Sequence, residues 1–150
     1  ERIRAAGKPV YCVWTGTRLH DQYDVDHCFP FSAWPCGDAW NLMPAAKPVN
    51  LQKSNRLVTR AALERASDTI HAWWRDAFLD QDAHLRRQFF LEAAHTLPLL
   101  SAMPEPADVI DAMQMHRIRL ANDQGLRSWE PAVHQAALRV AVAPVGAGAK

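Results

Sequence analysis

The chain has 150 residues, of which 49% are hydrophobic and 22% charged, and its formal net charge is +1. This composition is that of a globular protein and excludes a disordered tail. A net charge so close to zero also excludes a protein held on nucleic acid by its overall charge. Any nucleic-acid contact therefore requires a local basic patch or a partner that delivers the DNA.

The three cysteines, Cys12, Cys28 and Cys36, form an odd set without a C-x-x-C motif. That pattern disfavours a disulfide framework and a four-cysteine zinc ribbon, and it predicts free, partly buried thiols in a reducing compartment, the cytoplasm. No apolar run is long enough to cross a bilayer and no signal peptide is recognisable, so we expect no membrane association. Because the sequence begins at Glu1 without Met, we expect a fragment or a processed chain.

In chain order, two short strands are predicted first. Val10–Trp14 is rich in β-branched and aromatic residues, Thr15-Gly16 suits a turn, and Tyr23–His27 alternates as a returning strand. Residues 28–47 are interrupted by prolines and contain two tryptophans. They predict a long loop that is anchored by its own aromatic side chains, and loops of this length in compact domains are commonly functional.

Helices are predicted from there onward. Pro48 suits the first turn of a short helix that continues over about 49–55. Apolar residues then recur at three- and four-residue spacing from Leu63 to Phe78, which predicts an amphipathic helix. Thr59 is the candidate N-cap of that helix.

Two more helices are predicted, one near 82–96 and one after the prolines of residues 104–106. A last short element is expected after Pro131, where periodicity does not decide between helix and strand for the run 136–143, and the glycine-rich end is predicted to be flexible. The predicted fold class is α+β. Residues 1–58 would form a small ββα module and residues 59–150 a helical subdomain.

The candidate chemistry lies in the first part of the chain. Asp26 and His27 are adjacent at a predicted strand end, and Asn50 and Lys53 share one face of the short helix. Carboxylate and carboxamide oxygens are hard ligands that suit Mg²⁺ or Mn²⁺ better than Zn²⁺. An imidazole beside such a cation can serve as a general base near neutral pH. Together these groups could carry metal-assisted hydrolysis of a phosphodiester.

The runs Tyr23–His27, Trp40–Pro44 and Asn50–Lys53 together resemble the HNH endonuclease family, in the variant where asparagine replaces the last histidine. They are similar to the HNH domain of RNA-guided CRISPR nucleases. The resemblance covers residues 11–56 and implies a ββα-metal fold. It implies that Asp26 and Asn50 bind the metal, that His27 is the general base, and that Asn41 holds the loop that orients His27.

Other positions are interpreted through the same resemblance. Lys53 and Arg56 are candidates for contacts to the scissile or a neighbouring phosphate, and a solvated helix charge is the alternative for both. Asp24 is expected to support the site or to be solvated, not to ligate the metal. Thr15 stands where the family's C-x-x-C-G knuckle has its second cysteine, so a structural zinc is not expected.

The resemblance implies Mg²⁺-dependent hydrolysis of one DNA strand per site, with 5′-phosphate and 3′-hydroxyl products. It also implies docking in the minor groove with contacts mainly to the backbone. By analogy, such a module is the effector head of a larger protein or of a defence or mobile-element assembly, including nucleic-acid-guided ones. A double-strand cut would need a dimer or a second nuclease, and the oligomeric state stays open. Two alternatives stay open too: a non-catalytic nucleic-acid-binding or assembly module, and a nuclease that acts on RNA.

Overall fold

The computed structural model describes residues 7–20, 22–99 and 101–132. Within these ranges the chain forms short strands and four α-helices, a mixed arrangement that agrees with the predicted α+β class. The strands are β1 (Val10–Tyr11), β2 (Arg18–Leu19), β3 (Asp24–His27), β4 (Leu42–Ala45), β5 (Leu57–Val58) and β6 (Ser128–Trp129). The helices are α1 (Lys47–Lys53), α2 (Arg60–Trp74), α3 (Ala83–Thr96) and α4 (Pro106–Gln124). A 3₁₀ turn covers Ala39–Asn41 and a π-helical turn covers Arg75–Leu79.

A ββα unit made of β3, β4 and α1 lies at the centre of the molecule's first part. β3 and β4 pair antiparallel, from Asp24 opposite Ala45 to His27 opposite Leu42. Helix α1 starts almost directly after β4, with Pro48 in its first turn. The chain therefore leaves β3, returns through a loop as β4 and continues into α1, which brings the end of β3 next to the helix.

Tyr23–His27 was predicted to return along the strand Val10–Trp14, and this pairing was wrong. The first strand is not Val10–Trp14 but only β1, and it pairs with β2 across a tight turn that Cys12 N closes on the carbonyl of Thr17 at 2.9 Å. The strand that does pair with β3 is β4, inside the segment 28–47 that was predicted to be loop throughout. This strand was not predicted because Pro44 lacks the N–H that a central strand would donate, and a proline therefore argues against a strand.

The longer helices agree with their predicted positions, because their start signals are local. Thr59 accepts a hydrogen bond from Ala62 N at 3.1 Å and caps α2, and Asp82 accepts one from Leu85 N at 2.8 Å and caps α3. Helix α2 is shorter than its apolar pattern, because the chain passes into the π-helical turn before Phe78. Helix α4 ends at Gly125, whose φ of 59° is the left-handed conformation that glycine adopts without strain.

One hydrophobic core includes residues from both predicted parts of the chain. Trp40, fully buried in the 3₁₀ turn, donates its indole N–H to Thr96 at the end of α3 at 3.1 Å. Trp14 packs edge-on against Trp129 of β6, which pairs parallel with β5. The division into domains 1–58 and 59–150 stays a prediction. The run 136–143 and the glycine-rich end lie outside the described residues.

The three cysteines are free and buried, as their number and spacing predicted. Burial raises the pKa of the Cys28 thiol to about 12 and that of Cys36 to about 11. Such thiols stay protonated near neutral pH, so Cys28 is a core residue and not a nucleophile, although it follows His27. No helix within the described ranges is long and apolar enough to span a bilayer.

Candidate active site

An open cleft of about 240 Å³ lies where the end of β3 meets α1. It is lined by strand, loop and helix residues: Val25, Asp26, His27, Pro30, Phe31, Ser32, Asn50, Ser54 and Asn55. Asn50 is distant in sequence from the adjacent Asp26 and His27, and it shares their cleft because β3, β4 and α1 are consecutive elements of one unit. The structure therefore brings together the three residues on which the predicted chemistry depends.

The Asp26 carboxylate is held by two donors at the inner wall of the cleft. Its Oδ1 accepts from the Lys53 ammonium at 3.0 Å and its Oδ2 accepts from the Trp14 indole N–H at 2.9 Å. Burial raises the pKa of the Asp26 carboxyl, while Lys53 and Trp14 oppose this rise by stabilising the carboxylate. Each oxygen uses one of its two acceptor positions in these bonds, so the carboxylate keeps capacity for a further ligand.

The Lys53 ammonium group does not lie in the exposed environment that was predicted for it. Its side chain is 0% exposed, and its ammonium also donates to the backbone carbonyl of His27 at 2.6 Å. A solvated charge and a phosphate contact both need an exposed ammonium, so both interpretations of Lys53 were wrong. A buried lysine is tolerated here because Asp26 and a carbonyl compensate its charge. Lys53 thereby fastens α1 to the end of β3 from inside the protein.

His27 contributes the imidazole of the cleft. It is half-buried, and its ring lies 5.2 Å from the ring of Phe31, centroid to centroid. Its backbone is fixed by the bond from Lys53 and by pairing with Leu42. Among the residues that the structure describes, none forms a hydrogen bond with the imidazole nitrogens. The His27 backbone is thus anchored, while its ring lines the cleft beside Phe31.

Asn50 is oriented by a carboxylate that was expected only to support the site. Its Nδ2 donates to Asp24 Oδ2 at 3.0 Å. Because a carboxylate only accepts hydrogen bonds, this contact fixes which end of the amide faces Asp24 and leaves Asn50 Oδ1 for another ligand. Within the described ranges Asp24 forms no ion pair, whereas the charge of Asp26 is balanced by Lys53. Asp24 therefore places a carboxylate next to Asn50.

These donors fit a hard divalent cation that keeps much of its water. No group of three or more His, Cys, Asp or Glu side chains within the described ranges is placed to hold a metal ion. Mg²⁺ does not need such a group, since one or two protein oxygens, waters and substrate oxygens complete its coordination. Asp26 and Asn50 Oδ1 are the oxygens of this cleft that could hold such a cation, with the carboxylate of Asp24 beside Asn50.

Asn41 and Arg56 lie outside the cleft. Asn41 is fully buried, where its Oδ1 accepts from Phe29 N at 2.9 Å and its Nδ2 donates to the carbonyl of Cys36 at 2.9 Å. It thereby holds the loop after His27, and its effect on catalysis stays a prediction. Arg56 is half-buried, and its Nε donates to the carbonyl of Lys53 at 3.3 Å.

Trp14 is the residue of the site that sequence reasoning missed. It follows β1, far along the chain from α1, and still supplies one of the two donors to Asp26. The one signal available was that a buried tryptophan usually finds a partner for its N–H. That signal does not indicate which residue accepts the hydrogen bond from the indole N–H.

Comparisons with known proteins match nothing: no family model, no curated protein and no solved structure. The function of the chain is therefore inferred from the residues and geometry of the cleft.

Proposed function

We propose that the chain is a metal-dependent endonuclease of the HNH type, which hydrolyses DNA phosphodiester bonds one strand at a time. The observation that carries the proposal is the shared cleft. Asp26, His27 and Asn50 come from two elements of a ββα unit and line one open depression. Such a combination of hard oxygens and an imidazole suits phosphoryl transfer to water.

In this proposal Asp26 and Asn50 hold Mg²⁺ or Mn²⁺. When bound, the cation stabilises negative charge on the phosphate and on the leaving oxygen. Asp24 has two effects through its contact with Asn50: it orients the amide, and it adds a negative charge that attracts the cation.

The remaining groups act on the water and on the backbone. His27 takes a proton from the attacking water as its oxygen bonds to phosphorus. The bond from phosphorus to the 3′ oxygen breaks, and that oxygen takes a proton from solvent water, which leaves a 5′-phosphate and a 3′-hydroxyl. Lys53 holds the His27 carbonyl and Asn41 holds the loop behind it, so both are positioning residues. Because the net charge is only +1, a larger partner assembly would help to deliver the DNA.

The direct test is nicking of a supercoiled plasmid in Mg²⁺. Replacing His27 by Ala should lower the rate by about 10²–10⁴-fold, the usual contribution of a general base. Asn50→Ala should lower it as well and should raise the Mg²⁺ concentration needed for half-maximal rate. Matched controls are His84→Ala and Asn122→Ala, which change exposed residues of the same types on α3 and α4. Circular dichroism would verify that every variant is folded.

Two outcomes would contradict the proposal. Nicking that is unchanged in folded His27→Ala removes the catalytic role of the cleft. Absence of nicking by the wild-type chain at any Mg²⁺ or Mn²⁺ concentration favours a non-catalytic module. Competition between labelled duplex DNA and RNA of the same sequence separates a DNA nuclease from an RNA nuclease.

A further inference from the structure

A second open cleft adjoins the candidate active site. It has a volume of about 520 Å³. One wall is Ser54, Asn55 and Arg56, after α1, and the other is Gly125, Leu126 and Arg127, after α4. Ser54 and Asn55 also line the cleft of His27. The two clefts therefore lie side by side and share Ser54 and Asn55 as part of their walls.

Two chain reversals and one strand pair build this second cleft. Ser54 has a φ of 52°, the only positive φ of a non-glycine residue in the part of the chain that the structure describes. Gly125 reverses the chain at the end of α4, and Leu57 N then donates to the carbonyl of Arg127 at 2.9 Å. The parallel pairing of β5 with β6 thereby places Arg127 beside the segment that carries Arg56. Positive φ at a non-glycine residue is strained, and such strain concentrates at functional sites.

The two guanidinium groups are not neutralised by the rest of the described chain. Arg127 is exposed and Arg56 is half-buried, and neither forms an ion pair within the described ranges. Other arginines of the same region are paired, Arg60 with Glu64 and Arg65 with Glu130. In a chain with a net charge of +1, this cleft is a local concentration of unpaired positive charge.

We infer that Arg56 and Arg127 form a phosphate-binding subsite for the nucleic-acid strand that is cut, next to the scissile position. This inference rests on the proposed function. Guanidinium groups match phosphate oxygens in geometry and charge, and the neighbouring Ser54 and Asn55 supply uncharged hydrogen-bonding groups. The ligand is the phosphodiester backbone, so the subsite positions a strand without reading its sequence. The proposed subsite therefore has one arginine from the segment after α1 and one from the segment after α4.

The test measures binding of a fluorescent DNA duplex by anisotropy across a range of salt concentrations. It uses the full chain with His27→Ala, so that binding is separated from cleavage. Adding Arg127→Gln should raise the Kd severalfold and reduce the slope of log K against log salt by about one, the effect of losing one phosphate contact. Only the Arg127 backbone takes part in strand pairing, so the substitution leaves that hydrogen bond in place. The control is Arg87→Gln, which removes an exposed arginine of α3 that lines neither cleft.

Each outcome bears on the inference. A reduced slope with Arg127→Gln and an unchanged slope with Arg87→Gln support it. Equal slopes in the parent and Arg127→Gln overturn it, even if the wild-type chain nicks DNA as proposed, and so does an equal loss in both arginine variants. If binding depends on Arg127 while His27→Ala nicks at the wild-type rate, the subsite stands and the catalytic proposal fails. If the parent does not bind DNA, the inference is overturned.

Discussion

The buried ion pair of Asp26 and Lys53 holds helix α1 against the end of β3, with the Lys53 ammonium 3.0 Å from Asp26 Oδ1. Asp26, His27 and Asn50 were predicted to lie close together because their types and spacing resemble a known motif. The burial of Lys53 was not predicted, because lysine is rarely buried and only a long-range partner permits it. That partner, together with Trp14, is fixed by how α1 and the β1 segment pack on β3. Long-range packing of this kind produces no repeating pattern in the sequence from which it could be predicted.

Replacing Lys53 by Met should destabilise the protein by about 3–5 kcal/mol, because it leaves the Asp26 carboxylate buried without its counter-charge. Both side chains are almost fully buried, so solvent screening does not reduce the effect. Urea unfolding followed by circular dichroism measures the loss.

The matched control for this experiment is the double variant with Asp26→Asn and Lys53→Met. It removes both charges and should recover part of the stability. If Lys53→Met alone unfolds at the same urea concentration as the wild type, the pair does not hold α1 to β3, and the positioning role given to Lys53 is wrong.

At the level of elements, the sequence predicted those with local signals and missed those defined by their partners. The start of α2 was predicted from Thr59, whose side chain caps it, and α3 was predicted near 82–96, where Asp82 proves to be its cap. β4 was missed because it contains Pro44, whose carbonyl accepts from Val13 N at 3.0 Å. β5 and β6 are two residues each, too short for an alternating pattern.

Helix α4 packs on the loop after β3 through His116, and this contact should depend on pH. The His116 ring lies 4.0 Å from that of Trp34, centroid to centroid, and its buried Nε2 has no partner among the described residues. Burial, followed by the charge of Arg119, lowers the pKa of His116 below its ordinary value of 6.5. Between the lowered pKa and 6.5 the unfolded chain therefore binds more protons than the folded one. Stability is fully present above pH 6.5 and declines as the pH falls below it.

The expected result is a lower urea midpoint at about pH 5.5 than at about pH 7.5, with a smaller difference in His116→Gln. His84→Gln, which changes an exposed histidine of α3, should keep the wild-type difference. An equal pH difference in wild type and His116→Gln would show that this contact does not sense protonation.

At the scale of the whole molecule, side-chain hydrogen bonds join the ββα unit, including the turn before β4, to helices α2 and α3. Trp40 reaches Thr96 of α3, and Trp73 of α2 donates to the carbonyl of Leu42 in β4 at 2.9 Å. A core shared in this way is expected to unfold as one cooperative unit, because either part alone would expose the surface that the other covers.

The cysteines allow that expectation to be measured against the predicted boundary at residue 58. All three buried thiols precede it, whereas far-UV circular dichroism is dominated by α2, α3 and α4, which follow it. Thiol reactivity therefore reports opening of the first part, and ellipticity reports unfolding of the second. The two urea transitions should have the same midpoint and slope. Thiols that react at a lower urea concentration than the loss of ellipticity would instead show that residues 1–58 open independently. In that case the shared core would not couple the two parts, and the candidate active site would lie on a separable domain.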